Sequence, residues 1–179
     1  MLNELLLNES LSETFAQQLI DEAHRTDITG FNIDLEADRT VPWIGDGRVN
    51  TWLQFLTDRL HSASPPVLVG IDGDSGRLSN CPCTTTGVDR WVSMDTYFAN
   101  ATMFRREIAR GLKLSGEKFG VGLCQCCGVP ASAIADRFAA IAAAEKQGLG
   151  RVAEIDLWAY GTGPEMEQWW HAMEMWLAA

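Results

Sequence analysis

Residues 29–36, Thr-Gly-Phe-Asn-Ile-Asp-Leu-Glu, alternate between polar and apolar side chains, and this alternation narrowly limits the fold of the chain. Successive side chains of a β-strand point to opposite faces. Here one face is polar and the other apolar: Asn32, Asp34 and Glu36 against Phe31, Ile33 and Leu35. The pattern therefore predicts a strand that ends in two carboxylates.

Helical patterns lie on both sides of this strand, and Gly30 stands near its start. This arrangement favours a parallel strand covered by helices. We therefore expect the polar row to point into the structure. A buried row of amide and carboxyl groups is costly unless the groups are paired or used in a site.

Length and charge exclude several classes of protein. The 179 residues are 46% hydrophobic, which predicts one domain over residues 1–179 with a sizeable core. The net charge of −10 and the lack of clustered Lys and Arg argue against a nucleic-acid partner. No apolar run approaches the length of a membrane span. The first nine residues carry two acids and no basic start, unlike a signal peptide, which favours an intracellular chain.

Five cysteines occur, in two clusters. One contains Cys81 and Cys83, and the other contains Cys124, Cys126 and Cys127. Tight spacing is compatible with disulfides, incidental thiols or zinc. We favour thiols or disulfides over a metal site. The odd count leaves at least one thiol unpaired within the chain.

Hydrophobic periodicity divides the rest of the chain into alternating strands and helices. Strands are predicted at 29–36, 67–71, 91–97, 119–123 and 152–158. Helices are predicted at 12–25 (after a capping box at 10–13), 49–60, 103–112, 132–147 (ending at Gly148) and from Pro164 onward. We expect the last helix to pack a core face of Trp169, Trp170, Met173, Trp176 and Leu177. The three histidines lie on helical patterns, where we expect surface or packing roles.

This alternation predicts an α/β protein with mainly parallel strands. Two architectures fit: an incomplete (β/α)₈ barrel of about five βα units, or a flavodoxin-like doubly wound open sheet. Both build their sites at the C-terminal ends of strands. The residues near those ends are Asp34, Glu36, Asp72, Asp95, Tyr97 and Trp158.

The strand at 29–36 resembles the signature of glycoside hydrolase family 18, the chitinases and di-N-acetylchitobiases, Asp-Gly-x-Asp-x-Asp-x-Glu. Asp34 and Glu36 match its last two acids, while Thr29 and Asn32 replace its first two aspartates. Residues 91–97 resemble the family's sixth strand with its Met and Tyr, although Met94 and Tyr97 are one residue further apart than usual. Residues 155–158 resemble the eighth strand, in which a Trp floors the sugar site.

The resemblance implies that the chain corresponds to strands four to eight of the family's barrel. On this resemblance we expect either a fragment or part of a split barrel. Its open sheet edges favour self-association or a partner.

The resemblance also implies an activity: substrate-assisted, retaining hydrolysis of β-linked N-acetylglucosamine oligosaccharides. Glu36 is the expected general acid, and Asp34 beside it would help to keep it protonated and hold the acetamido group. Tyr97 would donate a hydrogen bond to that group, and Trp158 would stack under the sugar. Further candidates for substrate contact are Asn32, Asp72 and Asp95. The scheme needs no metal and no cofactor.

Two alternatives remain open at this stage. Thr29 and Asn32 favour an inactive, lectin-like relative that binds carbohydrate, while the retained Glu36 favours an enzyme. A flavodoxin-like domain of unrelated function is a more remote reading, since no Gly-rich phosphate fingerprint follows a strand. The resembled family is often secreted or lysosomal, which leaves localisation undecided.

Overall fold

A computed structural model describes residues 2–35, 47–73, 87–97, 100–127, 129–158 and 163–178. Its strands are β1 (Gly30–Asp34), β2 (Leu68–Gly73), β3 (Arg90–Ser93), β4 (Phe119–Cys124) and β5 (Glu154–Trp158). Its α-helices within those ranges are α1 (Leu2–Leu7), α2 (Glu9–Thr26), α3 (Arg48–His61), α4 (Ala101–Ser115), α5 (Ile134–Lys146) and α6 (Pro164–Leu177).

The strands follow one another in the sheet in the order β1-β2-β3-β4-β5. β1 pairs with β2 in parallel, and so does β4 with β5. A doubly wound sheet reverses its strand order at a switch point, whereas a (β/α)₈ barrel keeps the order of the chain. The fold is therefore α/β and of the incomplete barrel type, as one of the two predicted architectures requires.

The chain divides into two compact units, Met1–Trp91 and Val92–Ala179. In the first unit, the apolar stripe predicted for the second helix forms the core. Leu53, Leu56 and Leu60 of α3 are fully buried, as are Val69 and Ile71 of β2. The alternation of β2 thus turns its apolar residues toward the helical layer.

The start of the first unit differs from the prediction. The helix predicted at 12–25 begins at Glu9, and its N-cap is Asn8, whose side chain accepts a hydrogen bond from the Leu11 amide. Ser12 lies inside the helix, where it is buried and donates to the Leu5 carbonyl of α1 at 2.7 Å. Residues 10–13 have the sequence of a capping box, but Asn8 is the N-cap and Ser12 packs against α1.

In the second unit, α4 lies close against β4. Gly111 of α4 faces the ring of Phe119, and a Cβ on Gly111 would overlap that ring. Phe119 and Ile141 are fully buried. The helix α5 ends as predicted, with Gly148 at φ 73° just after its C-cap.

The third strand is shorter than the sequence predicts. β3 ends at Ser93, and Met94–Tyr97 form one turn of 3₁₀ helix. The cause is Thr96, whose buried hydroxyl lies 2.6 Å from the Ser93 carbonyl and 2.7 Å from the Gly122 carbonyl. A threonine bonded back to the residue three positions earlier favours a turn over an extended strand.

The last helix matches its predicted start at Pro164, but the prediction of its core face is only partly right. Trp169 and Met166 are buried, whereas Trp170 and Leu177 are exposed. Apolar residues occupy more than one face of this helix, so they cannot all pack into one core. None of the described helices is long and apolar enough to cross a membrane.

Candidate functional site

The ends of β1 and β2 bring three of the predicted site residues together. Asn32 pairs with Gly70, and Asp34 pairs with Asp72. Adjacent parallel strands lie about 4.8 Å apart, and register partners project from the same face. Asn32, Asp34 and Asp72 therefore form one polar patch in the first unit.

Gly70 makes room within this patch. A Cβ on Gly70 would lie 2.9 Å from Oδ1 of Asn32, closer than real side chains approach. The Asn32 side chain therefore leans across the neighbouring strand. Sequence reasoning did not single out Gly70, because its role appears only once the register is known.

The polar row is more exposed than predicted. Asn32 and Asp34 are exposed and Asp72 is half-buried, so the expectation that the row is buried is wrong for the two residues of β1. Within the first unit the helical layer covers the other face, where Leu35 and Ile71 are buried. The two exposed side chains are thus accessible to a ligand.

Glu36, the predicted general acid, lies outside the described residues. The backbone is fixed up to the residue before it, because the Leu35 amide donates to the Asp72 carbonyl at 2.9 Å. The end of β2 is held as well: the buried Trp91 ring donates from Nε1 to the Gly73 carbonyl at 3.1 Å. Both strands are therefore anchored at the edge where Asp34 and Asp72 lie.

Asp89 is a polar residue that sequence reasoning missed, and its role is structural. Its Oδ2 accepts from the Val69 amide at 2.8 Å and lies 2.8 Å from Nε2 of His61. Asp89 thus links the start of β3 to β2 and α3. His61, for which a surface or packing role was expected, has a polar contact with Asp89.

The second unit places Tyr97 against β4. The Tyr97 ring occupies the space that a side chain at position 122 would need, so that a Cβ on Gly122 would overlap it. The same Cβ would lie 2.8 Å from the Ser93 carbonyl. Thr96, bonded to the Gly122 carbonyl, fixes the turn that carries Tyr97. Asp95 is half-buried in the same turn.

Met94 and Tyr97 stand at the two ends of the 3₁₀ turn. A 3₁₀ helix has three residues per turn, so positions i and i+3 lie on the same side. In a strand, positions i and i+2 have that relation. The longer spacing in a 3₁₀ turn therefore gives Met94 and Tyr97 a common side.

Three side chains of β5 share one face: Glu154, Asp156 and Trp158. Asp156 pairs with Gly122, the residue on which the Tyr97 ring lies. Trp158 ends the strand and is 46% exposed. Tyr97, Asp156 and Trp158 therefore line one end of β4 and β5.

Asp156 is a site residue that sequence reasoning missed. Burial, followed by the charge of Glu154 and a hydrogen bond with it, raises the pKa of Asp156 to about 6. A carboxyl group with such a pKa exchanges a proton near neutral pH. The alternation of Glu154, Asp156 and Trp158 could have indicated it, but only Trp158 was predicted to be a site residue.

The second cysteine cluster follows β4 directly. Cys124 and Cys127 form a disulfide, and Cys126 is an exposed free thiol. Cys124 is the register partner of Trp158. The first cluster, Cys81 and Cys83, lies outside the described residues.

The solved structures that are similar to this chain include two glycosidases. One is a GH18 chitinase from Pseudoalteromonas aurantia, with a TM-score of 0.66, 16% identity, and coverage of 93% of this chain and 70% of that chain. The other is a fungal endo-β-N-acetylglucosaminidase from glycosyl hydrolase family 18, with a TM-score of 0.61, 17% identity, and coverage of 92% and 62%.

The fold is similar to that of glycoside hydrolase family 18. At this level of identity the likeness concerns the fold alone. The sequence matches no protein-family model and no curated protein. The chain spans under two thirds of the fungal enzyme's length.

Proposed function

We propose that this chain is a glycoside hydrolase-like protein that acts on β-linked N-acetylglucosamine oligosaccharides. One observation carries the proposal: a strand whose Asp34 is followed by Leu35 and Glu36 ends at the carboxyl edge of a barrel-type sheet. Active sites of barrel enzymes are built at that edge. The similarity of the fold to two family 18 enzymes supports the same assignment.

The proposed mechanism is substrate-assisted and retaining. Glu36 donates its proton to the glycosidic oxygen as the bond from that oxygen to the anomeric carbon breaks. The carbonyl oxygen of the substrate's own acetamido group attacks the anomeric carbon and forms a cyclic intermediate. Water then opens this ring and gives a proton to Glu36, which restores the acid.

Asp34 has the role of holding the acetamido group during the attack. Its exposed position at the end of β1 supports this role, because a sugar can reach it. Asp72, its register partner, adds a second carboxylate next to it. Asn32 offers an amide for hydrogen bonds to sugar hydroxyls.

Tyr97 and Trp158 complete the proposed contacts with substrate. The Tyr97 hydroxyl donates to the acetamido group, a role that the 3₁₀ turn supports by giving Met94 and Tyr97 a common side. Trp158, exposed at the end of β5, stacks under a sugar ring. Asp95 and Asp156 are further polar contacts.

The second candidate function is carbohydrate binding without turnover. Asn32 favours it, because an amide stands where the family signature has a carboxylate that would pass a proton toward Asp34. The Asn32 side chain leans over Gly70 and has no proton to exchange near neutral pH. In this case binding is retained and the chemistry is lost.

Release of a fluorogenic aglycone from a chitobioside tests the proposal, with Glu36→Gln as the control. Turnover that depends on Glu36 supports the hydrolase. Binding of chitooligosaccharide by the intact chain without turnover supports the second candidate. Absence of both turnover and binding overturns both.

A further inference from the structure

Three cysteine sulfur atoms lie close together at the end of β4 and on the turn that follows it. The Sγ atoms of Cys124, Cys126 and Cys127 all lie within 4.8 Å of one another. Cys124 is buried on the strand, while Cys126 and Cys127 are exposed on the 3₁₀ turn Gln125–Cys127. Neither the proposed hydrolysis nor the carbohydrate contacts use these groups.

We propose that the reduced cluster of Cys124, Cys126 and Cys127, named here the thiol cluster, binds a single thiophilic metal ion of the Zn²⁺ class. Thiolate ligands select Zn²⁺, Cu⁺ and similar ions over Mg²⁺ or Ca²⁺. Three ligands leave a fourth position for water or another donor. The proposal is independent of the hydrolase assignment.

Once the disulfide is reduced, all three sulfur atoms at the end of β4 are free to approach one ion. A tetrahedral site with Zn–S bonds of about 2.3 Å places its sulfur atoms about 3.8 Å apart. The Sγ atoms of Cys124 and Cys126 are 3.3 Å apart. Cys124 and Cys127 are separated by two residues, a spacing that zinc ligands use. The exposure of Cys126 and Cys127 gives the ion a path from solvent.

The disulfide between Cys124 and Cys127 makes the site depend on redox state. A dithiol reductant converts this bond to two thiols and is itself oxidised to a cyclic disulfide. Each thiol then loses its proton as it binds the metal. In the oxidised chain only Cys126 is left as a ligand within the cluster, and one thiolate does not hold the ion.

Binding is tested by titrating Co²⁺ into the full chain carrying Cys81→Ser and Cys83→Ser, so that the thiol cluster supplies the only cysteines. After reduction we expect a sulfur-to-cobalt charge-transfer band that saturates at one equivalent and is displaced by Zn²⁺. The oxidised chain should lack the band. Without a band in the reduced chain, the proposal is overturned.

Cys126→Ser separates the metal site from a simple redox pair. This exposed substitution leaves the disulfide partners intact, and we expect the affinity for Co²⁺ to fall at least tenfold, about the least that perturbing a metal site costs. Alkylation mapping by mass spectrometry gives a second measurement: bound Zn²⁺ should protect all three cysteines. Equal affinity in Cys126→Ser, or protection of Cys124 and Cys127 alone, contradicts the proposal.

Discussion

Asp34 and Asp72 are register partners at the C-terminal ends of adjacent parallel strands, and the Leu35 amide donates to the Asp72 carbonyl at 2.9 Å. This hydrogen bond therefore holds the main chain next to both aspartates in place. Asp34→Asn keeps the shape of the side chain and removes its charge. We expect kcat for a chitobioside to fall about 100-fold, because the charge that stabilises the attacking acetamido group is lost.

Asp21→Asn is the matched control for Asp34→Asn. Asp21 is an exposed acid of α2 that accepts a hydrogen bond from Gln17 and is not part of the polar patch. The same change of charge there should leave kcat within about twofold. An equal loss of activity in both variants would contradict the role given to Asp34.

Gly122→Ala tests the placement of Tyr97. The new Cβ would overlap the Tyr97 ring and lie 2.8 Å from the Ser93 carbonyl, so the ring must move. A displacement of about 1 Å in a site costs on the order of 100-fold in rate. We expect such a loss in kcat/KM, measured at a temperature where the variant is folded.

Gly111→Ala provides the comparison for Gly122→Ala. Its Cβ would overlap the Phe119 ring in the core, which we expect to lower the free energy of unfolding by about 1 to 3 kcal/mol. Activity of the folded fraction should be unchanged. Should Gly111→Ala lose as much kcat/KM as Gly122→Ala, the effect is one of stability and Tyr97 has no special part in it.

Trp158→Ala tests the sugar platform. Stacking on an aromatic ring contributes about 0.5 to 1.5 kcal/mol, so the dissociation constant for chitooligosaccharide should rise up to about tenfold, measured by calorimetry. Trp158→Phe should recover part of the affinity. Trp170→Ala, at an exposed Trp of α6, is the control and should change nothing.

The pKa of Asp156 predicts how stability depends on pH. Because the pKa rises from 3.8 to about 6 on folding, the native state holds more protons between these values. Stability should therefore fall as the pH rises from about 4 to about 6 and stay lower above it. The full shift corresponds to at most about 3 kcal/mol, and partial exposure reduces the expected cost to about 1 kcal/mol.

Asp156→Asn removes this dependence. We expect the variant to be more stable than the parent at pH 7 by about 1 kcal/mol, and equally stable near pH 4. Urea unfolding at the two pH values measures the difference. A constant difference between the two proteins at both pH values would show that Asp156 does not titrate in this range.

Periodicity predicted the elements well because each depends on local pattern. The stripe of Leu53, Leu56 and Leu60 formed a buried face, and Gly148 ended α5. Periodicity does not give the order of the strands in the sheet. The observed order is what distinguishes the barrel type from the doubly wound sheet.

Two of the errors in the site share a cause, which is contact between residues distant in sequence. The Thr96 hydroxyl that lies against the Ser93 carbonyl also lies 2.7 Å from the Gly122 carbonyl, and this distant contact helps to hold the 3₁₀ turn where a strand was predicted. The register of β4 and β5 placed Asp156 beside Gly122 and so made it a site residue. No local spacing carries that information. The prediction of a single domain and the role of Glu36 stay predictions.

The most direct test of the hydrolase proposal is the initial rate of aglycone release from a fluorogenic chitobioside by the wild-type chain and by Glu36→Gln. The amide cannot donate the proton that the leaving oxygen needs, so kcat should fall by about 100-fold or more, while chitooligosaccharide still binds. Equal rates for the two proteins, or a wild-type chain that neither cleaves nor binds the sugar, would contradict the account.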